Sequence, residues 1–245
     1  MSTCSLYICM LNVKLKKKEM KFMKSFIYML LCSTAVVFSL SSCLDTGEND
    51  NPLPTMTLTD SIEAINDVPG IYTGKLYYID PTKTSSSNKE DSLSITWTIR
   101  KDGMTSGYLT TNNFPIRPLS LYITNTTSMD QSKSILSVAG DQTYTTNVKP
   151  YMKLQTTSSN YYQYTIFPKS KEMTFYVNYA NSSHKVTVSF ADYITDAIGY
   201  YYYPIAYKAD KLFQGNILIE KVTVDGTEHK IGTVFGIKGH LTSKE

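Results

Sequence analysis

Cysteine and histidine are scarce in this chain of 245 residues, and their positions exclude more than their number does. The cysteines are Cys4, Cys9, Cys32 and Cys43, so none follows residue 43. Downstream of that point there is no material for a disulfide framework, a cysteine-ligated metal centre or a catalytic thiol. The three histidines, His184, His229 and His240, show neither His-x-x-x-His nor His-x-His spacing, so no element carries two of them on one face for a metal. A Gly-x-Ser-x-Gly elbow and a glycine-rich phosphate loop are also missing, and no cofactor is expected. The excess of positive charge is confined to the start. Six of the 24 Lys and Arg and one of the 21 acidic residues precede Cys43, which leaves 18 against 20 and a net charge of −2. Nothing in that balance supports nucleic-acid binding, which normally shows a basic patch or a high domain pI.

Long apolar runs are nearly as rare: the notable one is Phe26 to Leu40, fifteen residues. A permanent transmembrane helix needs about 20. Lys21 and Lys24 precede the run and the small residues Ser41 and Ser42 follow it, which is the layout of a secretory signal peptide. Leu40-Ser41-Ser42-Cys43 resembles the lipobox of bacterial lipoproteins. That resemblance implies cleavage before Cys43, a diacylglyceryl group on its thiol and a membrane partner reached through the lipid. Met20 or Met23 is the expected true start, because the signal is already complete without the residues before it. Residues 1–42 are read as leader and signal, and 43–59 as the lipidated cysteine and a flexible tether. The tether holds Asp45, Gly47, Glu48, Asp50, Pro52 and Pro54 and too few apolar side chains to offset the entropy of ordering. Its scattered acidic residues resemble the surface-export signal of Bacteroidetes-type lipoproteins. The expected location is the outer membrane, with the cell surface favoured over the periplasmic face.

Residues 60–245 read as a single all-β domain. Asp60-Ser61-Ile62-Glu63 signals a short N-terminal helix capped by Asp60 and ended by Pro69-Gly70. Period two then dominates. Leu93, Ile95, Trp97 and Ile99 alternate with polar residues, as do Met173, Phe175, Val177 and Tyr179, then Val186, Val188 and Phe190. Asp102-Gly103 and Asp225-Gly226 are hairpin-turn signals, since both residues tolerate positive φ. With Gly70 to Tyr78, Tyr144 to Leu154, Tyr161 to Phe167 and the stretch from Ile217 to Ile237, about ten strands are expected. The fold class is all-β, an antiparallel β-sandwich, with a lipocalin-like closed barrel as the alternative. Pro118 to Asp141, rich in Ser and Thr, reads as a poorly packed loop.

The opening Gly70-Ile71-Tyr72-Thr73-Gly74, behind lipobox and tether and with Phe114-Pro115-Ile116 following, resembles uncharacterised lipoprotein domains of gut Bacteroidetes. That resemblance implies class and cell location, and no functional residues. Tyrosine is the compositional oddity, with 20 copies. They cluster at Tyr161, Tyr162 and Tyr164 and at Tyr200, Tyr201, Tyr202 and Tyr203. Tyrosine joins a rigid apolar face to a polar tip, which suits a platform for a glycan or an envelope protein. Ordinary strand propensity explains such runs equally well, and successive residues of a strand cannot all face one way. No catalytic residue stands out. A hydrolase using paired carboxylates would need two acids about 5–9.5 Å apart, and Asp192 and Asp196 are the nearest candidates. Asp60-Ser61-Ile62 and Asp91-Ser92-Leu93 resemble the O-glycosylation sequon of Bacteroidetes-type exported proteins, which implies glycans on Ser61 and Ser92. The functional expectation is a non-enzymatic, lipid-anchored envelope binding module; the alternatives are a carbohydrate-active hydrolase and a structural envelope lipoprotein.

Overall fold

The computed structural model describes residues 56–83, 89–124, 127, 130–155, 160–195 and 201–244. The leader, Cys43, most of the tether, Asp196, Tyr200 and the side chain of Tyr201 lie outside them. Helix α1 spans Leu58–Asp67. Its cap is Thr57 rather than Asp60: the Thr57 hydroxyl accepts from the Asp60 amide at 3.0 Å. Asp60 instead sits in the first turn, where the helix dipole favours a carboxylate, and takes Lys153 at 2.6 Å. The helix stops at Val68 because Pro69 cannot continue it.

Ten strands form one antiparallel sheet: β1 (Gly70–Ile79), β2 (Glu90–Lys101), β3 (Gly107–Phe114), β4 (Gln142–Gln155), β5 (Asn160–Thr165), β6 (Glu172–Tyr179), β7 (Ser182–Phe190), β10 (Ile205–Ala209), β11 (Leu212–Val224) and β12 (Thr227–Ser243). A separate two-stranded pairing joins β8 (Ile194–Thr195) to β9 (Tyr201–Tyr202). The all-β, ten-strand expectation holds. β10 pairs with both β5 and β11, so eight strands follow one another in a ring. This is not a clean barrel. β11 bonds β10 through Leu212–Gly215 and then passes to β7 from Ile219 onward, so the β6–β7 hairpin extends the sheet beyond the ring. Inner faces oppose one another as sandwich layers do. Phe213 of β11 meets Tyr72, Trp97 and Tyr164 at ring distances of 5.5, 6.1 and 6.4 Å. At the other end Phe114 and Tyr144 meet Phe190, and Phe235 meets Phe114 and Tyr78.

The closeness of this packing is visible at Gly239, opposite Gly74 in the β1–β12 pair. A Cβ there would lie 2.6 Å from the Trp97 ring and 2.7 Å from the Thr73 carbonyl oxygen. Trp97, whose ring lies parallel to that of Tyr72, therefore covers bare backbone.

Helix α1 packs its apolar stripe, Ala64 and Ile65 followed by Val68, into the core. Two inward tyrosines tie down the end of the helix: Tyr72 donates to the Val68 carbonyl at 2.7 Å, and Tyr164 donates at 3.0 Å to the Ala64 carbonyl, which also accepts from the Val68 amide. Burial pushes both phenols far above their ordinary values. Lys208 of β10, only 3% exposed, donates to Asp67 at 2.5 Å and to the Asp210 carbonyl at 2.6 Å.

The expected loop from Pro118 to Asp141 requires correction. A 3-10 turn (Arg117–Tyr122) and a short helix α2 (Ser132–Ser137) interrupt it, and Leu119, Ile123, Ile135, Leu136 and Ala139 join the main core. Its polar composition hid a widely spaced apolar set that only tertiary packing brings together. Asp130, just before α2, faces buried His229 of β12 at 3.7 Å. That distance exceeds hydrogen-bond reach, and His229 Nε2 has no hydrogen-bond partner among the described residues.

Candidate functional site

A groove of about 520 Å³ lies where β11 changes partner. Its lining includes Lys171, Asp192 and Tyr193 on one side and Glu220, Lys221, Glu228 and Lys230 of the β11–β12 hairpin on the other. The local backbone explains the opening. The registers of β11 with β7 and with β12 both slip between Ile219 and Lys221, the mark of a bulge. A bulge bends its strand and re-aims a side chain, and Glu220 is exposed there. Beyond β7 the chain stays attached, with the Ala191 amide donating to the Leu218 carbonyl at 3.0 Å. It then enters β8.

The β8–β9 pairing sets a second aromatic ring beside Tyr193 of the groove lining. Ile194 pairs with Tyr202, so the residues just outside, Tyr193 and Tyr203, come side by side with ring centres 6.5 Å apart and planes tilted by 43°. Both are about half exposed, Tyr193 at 56% and Tyr203 at 48%. Part of the charged rim is internally paired. Lys171 meets Asp192 at 2.6 Å, and Lys221 meets Glu228 at 2.7 Å. The hydrogen bond from Lys221 holds the Glu228 carboxyl below its usual range, and Glu228 in turn raises the lysine. Such a groove offers stacking faces together with ionised donors and acceptors.

The sequence-predicted residues are divided by the fold. Tyr164 requires correction: it is fully buried, its ring near Phe213 and its hydroxyl committed to α1, so it belongs to the core and not to a platform. Tyr161 and Tyr162 are half-buried neighbours on β5, and Tyr162 lies beneath the Lys153 ammonium. Tyr202 is half-buried, and Tyr203 alone of the described set is exposed. The two tyrosine runs thus contribute different surfaces. Nothing in the sequence marks Tyr193 as an aromatic contact, because only the β8–β9 register brings Tyr203 to it. Asp192 is ion-paired, while Asp196 lies outside the described residues.

Ser61 and Ser92 are not on loops. Ser61 stands in the first turn of α1, donating to the Thr57 carbonyl at 3.0 Å, and Ser92 stands in β2 opposite Tyr77; both are half-buried. Among the described residues no three His, Cys, Asp or Glu side chains gather to hold a metal ion, and no helix is long and apolar enough to cross a membrane.

No curated protein and no solved structure matches the chain significantly. A family match does exist, and its span runs from the last residue of α1 to the end of β11, leaving β12 beyond it. Residues 67–224 match the family described as a domain of unknown function (DUF4840), and with more than half of its length covered the chain belongs to that family.

Proposed function

We propose that the protein is a lipid-anchored envelope lipoprotein whose β domain binds a glycan, or a glycan-like edge of an envelope partner, beside Tyr193 and Tyr203 without turning it over. The lipid on Cys43 would hold it to the outer membrane, with the domain on the cell-surface side. The half-exposed ring of Tyr193 in the groove lining, with the Tyr203 ring beside it, carries this reading. A sugar ring stacks its C–H face on such aromatic surfaces and gives its hydroxyls to the ionised rim.

The electrostatics favour binding over hydrolysis. A glycosidase needs one carboxyl with a raised pKa to protonate the leaving oxygen. In this groove Asp192 and Glu228 are each tied to a lysine and Glu228 is shifted the opposite way, while Glu220, the third carboxylate of the lining, stands exposed on the bulge.

The test is glycan-array screening of the full-length lipoprotein, followed by titration with the best hit. Tyr193→Ala with Tyr203→Ala is expected to weaken binding tenfold or more, about 1.4 kcal/mol, with an unchanged melting curve. Undiminished binding by that double variant places the ligand elsewhere. Release of reducing sugar would favour the hydrolase, and no hit would favour the structural reading. The anchor is tested separately: Cys43→Ala should abolish lipid incorporation and leave the protein in the soluble fraction.

A further inference from the structure

The sheet ends at β6. Among the described residues its strand pairing is with β7 alone, over eight consecutive positions without a bulge. An exposed edge is ordinarily blunted by lysine, proline or a bulge, because its free amides and carbonyls invite another strand. The β6 sequence, Glu-Met-Thr-Phe-Tyr-Val-Asn-Tyr, contains none of these devices, although the short helix α2 lies against the strand.

Which backbone groups point outward follows from the hairpin. Ala180 and Asn181, both with positive φ, form a two-residue turn, so Tyr179 and Ser182 are the first bonded pair. Alternate pairs exchange bonds in an antiparallel ladder, so the odd-numbered residues of β6 bond β7 and the even-numbered ones face away. The far end agrees, since Phe190 donates to the carbonyl of Lys171 at 2.8 Å. Of the outward groups, those of Glu172 are already occupied: the Ser170 hydroxyl donates to its carbonyl at 2.7 Å and accepts from its amide at 3.3 Å. Thr174, Tyr176 and Asn178 remain, with Tyr176 at their centre. Tyr176 is also 69% exposed, more than any other large apolar side chain among the described residues.

We propose that β6 pairs antiparallel with β6 of a second copy of this chain, about a two-fold axis at Tyr176. That register sets Tyr176 opposite Tyr176 of the second copy, and Thr174 opposite its Asn178. All three outward residues of each strand then exchange backbone hydrogen bonds. Phe175 falls opposite Val177 and Met173 opposite Tyr179, inner residue against inner residue, so both cores lie on the same side of one continuous sheet. A slip of one residue would turn inner positions against outer ones and misalign donors with acceptors. Charge agrees as well. Glu172, the one charged residue of the strand, falls outside the paired stretch and does not meet its own copy. An isologous contact of this kind closes as a dimer and cannot propagate.

The experiment is sedimentation of the full-length lipoprotein in detergent across a concentration series. The parent chain is expected to form a dimer whose fraction rises with concentration. Thr174→Pro removes an outward amide that β7 does not use, and edge strands accept proline, so the folded variant should sediment as a monomer. Tyr176→Lys sets two ammonium groups face to face and should do the same; if one variant fails to fold, the other decides. Tyr151→Lys, at an exposed tyrosine of β4, should keep the dimer. A parent chain that is monomeric throughout, a dimer that survives in the folded edge variants, or a dimer lost in Tyr151→Lys would overturn the proposal.

Discussion

Removing Asp67 should destabilise the domain far more than removing the lysine it pairs with. Asp67 is the last residue of α1, where the helix dipole disfavours a negative charge by about 0.3–1 kcal/mol. Its presence there makes sense only through Lys208, whose side chain is 3% exposed while that of Asp67 is 42% exposed. The asymmetry decides the magnitudes. In Asp67→Ala the buried ammonium keeps only the Asp210 carbonyl among its two acceptors. Stranding a buried charge costs about 3–5 kcal/mol, and solvent access on the Asp67 side brings the expectation to about 2–3 kcal/mol. In Lys208→Met the apolar stem is retained, the desolvated charge is gone and Asp67 can hydrate, so the cost should stay within about 1 kcal/mol. Urea unfolding of the single and double variants measures both values and their coupling. In the Lys208→Met background, Asp67→Ala should become neutral or slightly stabilising, because only the dipole term remains. If Lys208→Met costs as much as Asp67→Ala, or if the two effects simply add, the account of how this helix is held against the sheet is wrong.

Gly239→Ala should destabilise by about 1–3 kcal/mol, the range for overpacking, because its Cβ would sit 2.6 Å from the Trp97 ring; an unchanged melting temperature would refute the close approach. His184 is predicted to clamp the β6–β7 hairpin to the β11–β12 turn as an imidazolium. Its Nδ1 lies 2.6 Å from an Asp225 carboxylate oxygen and its Nε2 lies 3.2 Å from the Tyr179 carbonyl oxygen, and only the cation donates at both nitrogens. The Asp225 hydrogen bond, then the carbonyl, raises the histidine above its usual 6.5, and the histidine lowers Asp225. The histidine contribution is therefore complete below pH 6.5 and is lost as pH rises through the raised value. The Asp225 contribution is lost as pH falls through its lowered value. Titration of the His184 ring by NMR, with His184→Gln abolishing the alkaline loss in urea midpoint, checks both signs; an ordinary or depressed histidine pKa would contradict the clamp.

Alternation along β2, β6 and β7 and the turns at Asp102-Gly103 and Asp225-Gly226 were legible in the sequence, because strand period and turn conformation are properties of neighbouring residues. The short helix was legible too, although its cap lay three residues earlier, at Thr57. The site was less so. Tyrosine enrichment pointed to aromatic surfaces, but a run of tyrosines does not say which members face inward: Tyr164 went to the core, Tyr203 to the surface, and Tyr193 gained importance only through the β8–β9 register.

By itself, then, the sequence determined the class of the domain, most strand positions, the absence of cysteine chemistry after residue 43 and the expectation of a lipid anchor. Only the tertiary structure decided that β10 joins both β5 and β11, that Leu119, Ile123, Ile135, Leu136 and Ala139 join the core, and that Lys208 meets Asp67 across 141 positions. The physical reason is range. Backbone propensity and turn chemistry act over a few residues, whereas burial is settled by surfaces far apart in the chain that compete to leave water together.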